Sequence, residues 1–263
     1  MPRFAANLSM LFTEVDFIDR FAAAARAGFR AVECQFPYAE PAARIATALH
    51  DNGLVLVLHN LPAGDWAAGE RGIACHPDRV DEFRRGVAQA IDYATALGCP
   101  QLNCLAGIAP VGVSEAAVRE TFVANLRFAA GELKMAGLRL LVEPINTFDI
   151  PGFYVNRTEQ ALELIAAVNV LGADNIYLQY DVYHAQRMEG DLGNTLARCL
   201  PQIAHLQVAD NPGRHEPGSG EINYPWLFHH LDAIGYTGWV GCEYKPATTT
   251  EAGLGWLQAA ERD

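Results

Sequence analysis

The feature that most constrains this chain is a recurring unit. A short apolar run of strand length is followed by a longer stretch with apolar residues at three- and four-residue intervals. The short runs lie near residues 4–7, 31–35, 54–59, 101–105, 139–143, 176–181, 203–208 and 239–243. Two of the helical stretches, "VDFIDRFAAAARAG" and "SEAAVRETFVANLRFAAGELKMAG", stop at Gly28 and Gly137, where a left-handed C-terminal residue is easy for glycine. Further helices are expected over 41–52, 77–97, 158–169, 191–199, 225–234 and 249–260. Eight strand–helix pairs in 263 residues are what a closed (β/α)8 TIM barrel requires. A doubly wound open sheet would show fewer units and a glycine-rich phosphate turn after its first strand, and none follows "FAANLSM". No linker, charge block or low-complexity run interrupts the pattern, so one barrel domain is expected over residues 1–263.

Composition narrows the partners. Asp plus Glu number 31 against 19 Lys plus Arg, a formal net charge of −12, which repels phosphate backbones and anionic lipid at long range. The start, "MPRFAANLSM", has no secretory apolar core, and no run approaches the roughly 20 apolar residues that cross a bilayer. A cytoplasmic protein with neither nucleic-acid nor membrane partners is expected. The six cysteines show no zinc-like or CxxC spacing and read as buried reduced thiols. Aromatics such as Trp66 and Trp256, read as exposed, leave a homo-oligomer open.

A barrel directs attention to the C-terminal ends of its strands, where loops leave the packed interior and polar side chains reach ligand. The fifth run, "RLLVEPIN", finishes on Glu143 and the sixth, "YLQYDVYH", on Asp181. The seventh, "IAHLQVAD", carries Gln207 near its mouth, and the eighth, "WVGCEYKP", ends on Glu243. Alternation along a strand puts Leu141 with Glu143, His205 with Gln207, and Gly241 with Glu243 on the inward face. Three carboxylates facing one cavity repel one another unless a cation sits between them. Carboxylate and amide oxygens form a hard set suited to Mg²⁺, with Mn²⁺ second, whereas zinc would draw His or Cys. At the same rim lie Glu33, Asn103, His59 and His184, and a seventh loop, "NPGRHEPGSGEINY", that brings Arg214, His215 and Glu216 over the mouth.

The segments "LLVEPIN", "DVYHAQRMEGD", "HLQVADNPGRHEPGSGEINY" and "GCEYKP", with "GDWAAGERGIACHP" upstream, closely resemble the hydroxypyruvate isomerase family within the xylose-isomerase-like barrels. The resemblance spans nearly the whole chain. It implies a metal held at Glu143, Asp181, Gln207 and Glu243, with Glu143 and Glu243 as proton donor and acceptor. The implied reaction interconverts hydroxypyruvate and 2-hydroxy-3-oxopropanoate (tartronate semialdehyde) through a cis-enediolate. The same branch contains 2-oxo-tetronate isomerases. The related ketose 3-epimerases usually place His where this chain has Gln207, which pulls the assignment toward the isomerases. A DNA-repair endonuclease of the same superfamily would want zinc-binding histidines and a basic groove, and a barrel that only binds a sugar acid would not need these acid–base positions.

A keto or hydroxy acid substrate carries its own carboxylate, so an acidic protein needs a local cation to receive it. Arg71, in the glycine-flanked "GERG" of the third loop, is the first expectation, because a guanidinium binds a carboxylate bidentately; Lys245 and Arg214 follow. With His59, His184 and Glu216 these complete the expected substrate contacts.

Overall fold

The computed structural model describes residues 2–260. Eight parallel strands form a closed ring in sequence order, with the eighth paired to the first. They are β1 (Arg3–Asn7), β2 (Ala31–Glu33), β3 (Val55–Asn60), β4 (Gln101–Cys104), β5 (Arg139–Val142), β6 (Ile176–Asp181), β7 (Ile203–Val208) and β8 (Trp239–Cys242). Helices α1 (Asp19–Arg26), α2 (Ala42–Asp51), α3 (Val80–Leu97), α4 (Glu115–Met135), α5 (Thr158–Val170), α6 (Val182–Met188), α7 (Leu192–Cys199), α8 (Tyr224–Ala233) and α9 (Gly255–Ala260) surround it. Residues 3–260 thus carry the alternation that the apolar runs announce. Only α6 departs from expectation. It starts directly on β6 with no turn between them, so its residues read in sequence as a continuation of the strand.

Two apolar regions hold the barrel. The larger lies between strands and helices, where residues such as Leu102, Leu140, Phe122 and Leu126 are fully buried. Each such side chain contributes roughly 1.5–3 kcal/mol of transfer free energy. The smaller lies inside the ring and is built from Ala5, Ala31, Val57, Leu58 and Leu141. Above it the interior is polar, with Asn7, Glu33, Gln179, His205 and Gln207 all buried. Glu33 organises this layer. Its oxygens accept from Asn7 Nδ2 (2.9 Å) and Gln207 Nε2 (2.7 Å), and His205 Nε2 lies 2.6 Å away. Gly241 makes the room, since a Cβ there would fall 2.3 Å from the Glu33 carboxylate.

All six cysteines are free and buried. Among the described residues no helix is long and apolar enough to cross a membrane. Trp256, expected at the surface, instead packs edge-on against Phe4 at 5.1 Å, and its Nε1 donates to Tyr244 Oη at 3.2 Å.

Candidate active site

Three strand ends deliver the carboxylates. Glu143 follows β5 directly, Asp181 closes β6 and Glu243 follows β8. With His184, from the first turn of α6, they offer ligand atoms all within 4.8 Å of one another, and all four residues are buried. Neighbouring amides hold the glutamates. Glu143 Oε2 accepts from Asn103 Nδ2 (2.7 Å), and Glu243 Oε1 accepts from Gln35 Nε2 (2.9 Å) and Asn7 Nδ2 (3.3 Å). Asp181 is divided in function. Its Oδ1 caps α6 by accepting from the backbone N–H groups of Tyr183 and His184, at 2.7 and 3.3 Å. Its Oδ2 is buried and has no hydrogen-bond partner.

The electrostatics follow from crowding. Burial pushes the Glu143 carboxyl well above the usual carboxylate range, and the charges of Glu243 and Asp181 add to it. Glu243 is raised to about 7, again chiefly by burial, with Arg214 opposing and Asp181 and Glu33 reinforcing. Asp181 is raised by burial against the pull of Arg214 and of its two backbone bonds. Arg214 Nη2 donates to Glu243 Oε2 at 2.7 Å and lies 4.0 Å from Asp181 Oδ2. One guanidinium against three carboxylates leaves a buried excess of two negative charges when all are ionised, which a divalent cation would neutralise. The unpartnered Asp181 Oδ2 fits that cation, because a buried carboxylate oxygen without a donor is expensive unless something positive meets it.

Arg214 reaches the cluster because its loop is built to hold it. Asp210, just past β7, accepts four backbone N–H bonds, from Asn211, Gly218, Gly220 and Ile222, at 2.9–3.0 Å. Arg214 itself adopts a left-handed backbone at φ 55°, an unfavourable choice for a side-chain-bearing residue. It is secured by N–H donation to Asp210 O and by acceptance from Lys245 N, both at 2.8 Å.

The remaining expected residues fall in different places. Gln207 sits opposite Asp181 in the β6–β7 register. Its Nε2 donates to Glu33, while its Oε1 accepts from Gln179 Nε2 (2.7 Å) and retains a second lone pair. His184 Nε2 lies 3.7 Å from Asp181 Oδ2 and 3.9 Å from Glu143 Oε1. His59 does not join the cluster. Its ring packs edge-on against Tyr38 and its Nδ1 lies 3.3 Å from Tyr38 Oη, away from the carboxylates beside which it was expected as a substrate contact. Burial lowers its pKa to about 4. Arg71 stays within its own loop, donating to the carbonyls of Trp66 (3.0 Å) and Glu70 (2.7 Å) with its guanidinium 4.3 Å over the Trp66 ring. Glu216 accepts from Ala247 N at 3.0 Å, tying the seventh loop to the chain beyond β8. Lys245 is exposed and lines a rim cleft with Ser9, Thr13 and Glu14.

Sequence reasoning passed over Gln35, Asn146 and Asp210. Gln35 closes a strand-length run and Asn146 follows one, while Asp210 opens a loop, and nothing local separates any of them from an ordinary structural residue.

Residues 21–260 match the family model described as xylose isomerase-like TIM barrel. The chain belongs to that family. A hydroxypyruvate isomerase from Escherichia coli (strain K12) is 57% identical over 257 residues, covering 98% of each chain. A 2-oxo-tetronate isomerase from Cupriavidus necator is 48% identical over 258 residues, again with 98% of each covered. Among solved structures, one from Brucella melitensis described as an AP endonuclease, family 2, superposes with a TM-score of 0.95 at 47% identity, covering 98% of this chain and 99% of that one.

Proposed function

We propose that this protein is a metal-assisted isomerase that interconverts hydroxypyruvate and 2-hydroxy-3-oxopropanoate, acting as one catalytic barrel in the cytoplasm. The observation that carries the reading is the buried carboxylate cluster at the barrel mouth, with Asp181 Oδ2 left unpartnered. The 57% identity to a protein named hydroxypyruvate isomerase supports the three-carbon acid over the four-carbon one. Six buried free thiols agree with a reducing compartment.

Glu143, Asp181 and Glu243 would hold a hard divalent ion, Mg²⁺ before Mn²⁺, with the amide oxygen of Gln207 as the fourth donor. Glu33 supports that choice for Gln207, because an acceptor-only carboxylate takes the amide nitrogen and turns the oxygen away. When bound, the ion would act as a Lewis acid on neighbouring substrate oxygens and offset the negative charge that develops there.

The protein supplies the rest. One glutamate removes a carbon-bound proton and the other returns a proton to the adjacent carbon, passing through an enediolate of the substrate. In the metal-free protein burial raises both carboxyls, Glu243 to about 7, so each takes up a proton more readily than an exposed glutamate would. Asn103 and Gln35 keep each carboxylate aimed into the site. Arg214 is the cation best placed for the substrate carboxylate.

The test is an isomerase assay on hydroxypyruvate and a 2-oxo-tetronate side by side, run in D₂O and repeated with EDTA and then excess Mg²⁺. Higher kcat/KM on hydroxypyruvate, deuterium at the product carbon, and loss and return of turnover with the metal are expected. Turnover unaffected by EDTA removes the metal from the reading. Product with no solvent deuterium at any conversion replaces proton transfer with a hydride shift.

A further inference from the structure

His184 presents one ring nitrogen to the carboxylate cluster, and which atom carries its proton decides whether it can ligate a cation or only donate a hydrogen bond. The answer lies behind the ring. Asn146 Nδ2 sits 2.7 Å from His184 Nδ1. The same amide nitrogen lies 3.1 Å from Asp149 Oδ2, while Asn146 Oδ1 accepts from the backbone N–H groups of Phe148 (3.1 Å) and Asp149 (2.8 Å). All four hydrogen-bonding positions of this buried amide are therefore used. Flipping the amide would set its oxygen against a carboxylate and its N–H groups against two backbone donors, so the orientation is over-determined.

An amide nitrogen can only donate, so His184 Nδ1 must accept. The imidazole is then neutral, and its proton sits on Nε2, the atom 3.7 Å from Asp181 and 3.9 Å from Glu143. A metal-binding imidazole needs the reverse arrangement: a lone pair toward the ion and an N–H donated to a carboxylate or carbonyl behind it.

We propose that Asn146 is a positioning residue that locks neutral His184 in its Nε2–H tautomer. His184 then presents a hydrogen-bond donor, not a further metal ligand, to the substrate space above the carboxylates. The tautomer stands on the hydrogen bonds alone; its use toward a metal-bound substrate rests on the function proposed above.

The experiment is a long-range ¹⁵N–¹H correlation of the imidazoles in the uniformly labelled full-length protein, metal-free and with Mg²⁺, with the His184 signal identified by its loss in His184→Gln. The wild type is expected to show the Nε2–H pattern in both states. A wild-type Nδ1–H pattern, or loss of the Nε2 proton when Mg²⁺ binds, overturns the proposal. The double variant Asn146→Asp with Asp149→Asn keeps the local charge and reverses the polarity behind the ring, so it is expected to switch His184 to Nδ1–H. With the lone pair facing the carboxylates, Mn²⁺ should bind on the order of tenfold more tightly. Asp149→Asn alone should keep Nε2–H. If the double variant does not fold, Asn146→Leu serves instead and should show both tautomers. A pure Nε2–H pattern in the double variant, or in Asn146→Leu where the double variant does not fold, removes Asn146 from the role. Absence of isomerase activity alongside an Nε2–H wild type sinks the proposed function and leaves the tautomer standing.

Discussion

Loading the site with metal should expel protons, and the number follows from the geometry. Burial and mutual repulsion raise Glu243 to about 7, so at pH 7 it is about half protonated in the metal-free protein, and ligation demands the ionised form. That is roughly 0.5 proton released. Glu143, raised well above its ordinary value by the same causes, adds up to about one more, giving between about 0.5 and 1.5 protons per Mg²⁺. The corresponding affinity should climb by about 5- to 50-fold from pH 6 to pH 7, or roughly 1–2 kcal/mol. The metal-free protein should behave oppositely. A carboxyl whose folded pKa exceeds its unfolded 4.5 contributes stability at low pH that is lost as pH rises through the folded value. For Glu243 the window runs from about 4.5 to about 7 and spans about 3 kcal/mol. Calorimetric titration of Mg²⁺ at pH 7 in phosphate and in Tris, whose ionisation enthalpies differ widely, reads the proton count. Thermal melts of the metal-free protein between pH 5 and 8 read the stability. Equal heats in both buffers together with a flat melting profile would refute the crowded-carboxylate argument.

Asp181→Asn removes the unpartnered anionic oxygen while leaving an oxygen able to cap α6. It should weaken Mg²⁺ binding by at least about 100-fold with little change in the metal-free urea midpoint, and unaltered binding would dismiss Asp181 as a ligand. Gly241→Ala drives a methyl to within 2.3 Å of the Glu33 carboxylate and should cost about 2 kcal/mol or more in urea unfolding; a wild-type midpoint would mean that the interior network is loose. Arg214→Met should raise KM for the keto acid about tenfold or more, whereas Arg71→Met, whose guanidinium is engaged by its own loop, should stay within about twofold. The reverse ranking in steady-state kinetics would return the carboxylate contact to Arg71.

What the sequence determined is what depends on periodicity. Apolar runs of strand length alternating with amphipathic stretches call for a parallel sheet under helices, and eight such units with no glycine-rich phosphate turn after the first strand point to a closed barrel. Once the barrel is granted, residues that end a strand must lie at its mouth, so Glu143, Asp181 and Glu243 could be grouped from their positions alone. Tertiary structure decided the phase of individual side chains and the partners behind them. β3 shows the reason: a register shift makes Glu33 pair with Leu58, one residue beyond where Ala31 and Val32 would put it, and this changes which of its residues, His59 among them, alternation assigns to each face. A one-residue bulge leaves no mark in composition or periodicity. Nor does the chain of bonds from Asp149 through Asn146 to His184, or the clamp by which Asp210 aims Arg214. These depend on hydrogen bonds between groups that approach only after the strands have closed, and their directions are fixed by packing around the ring.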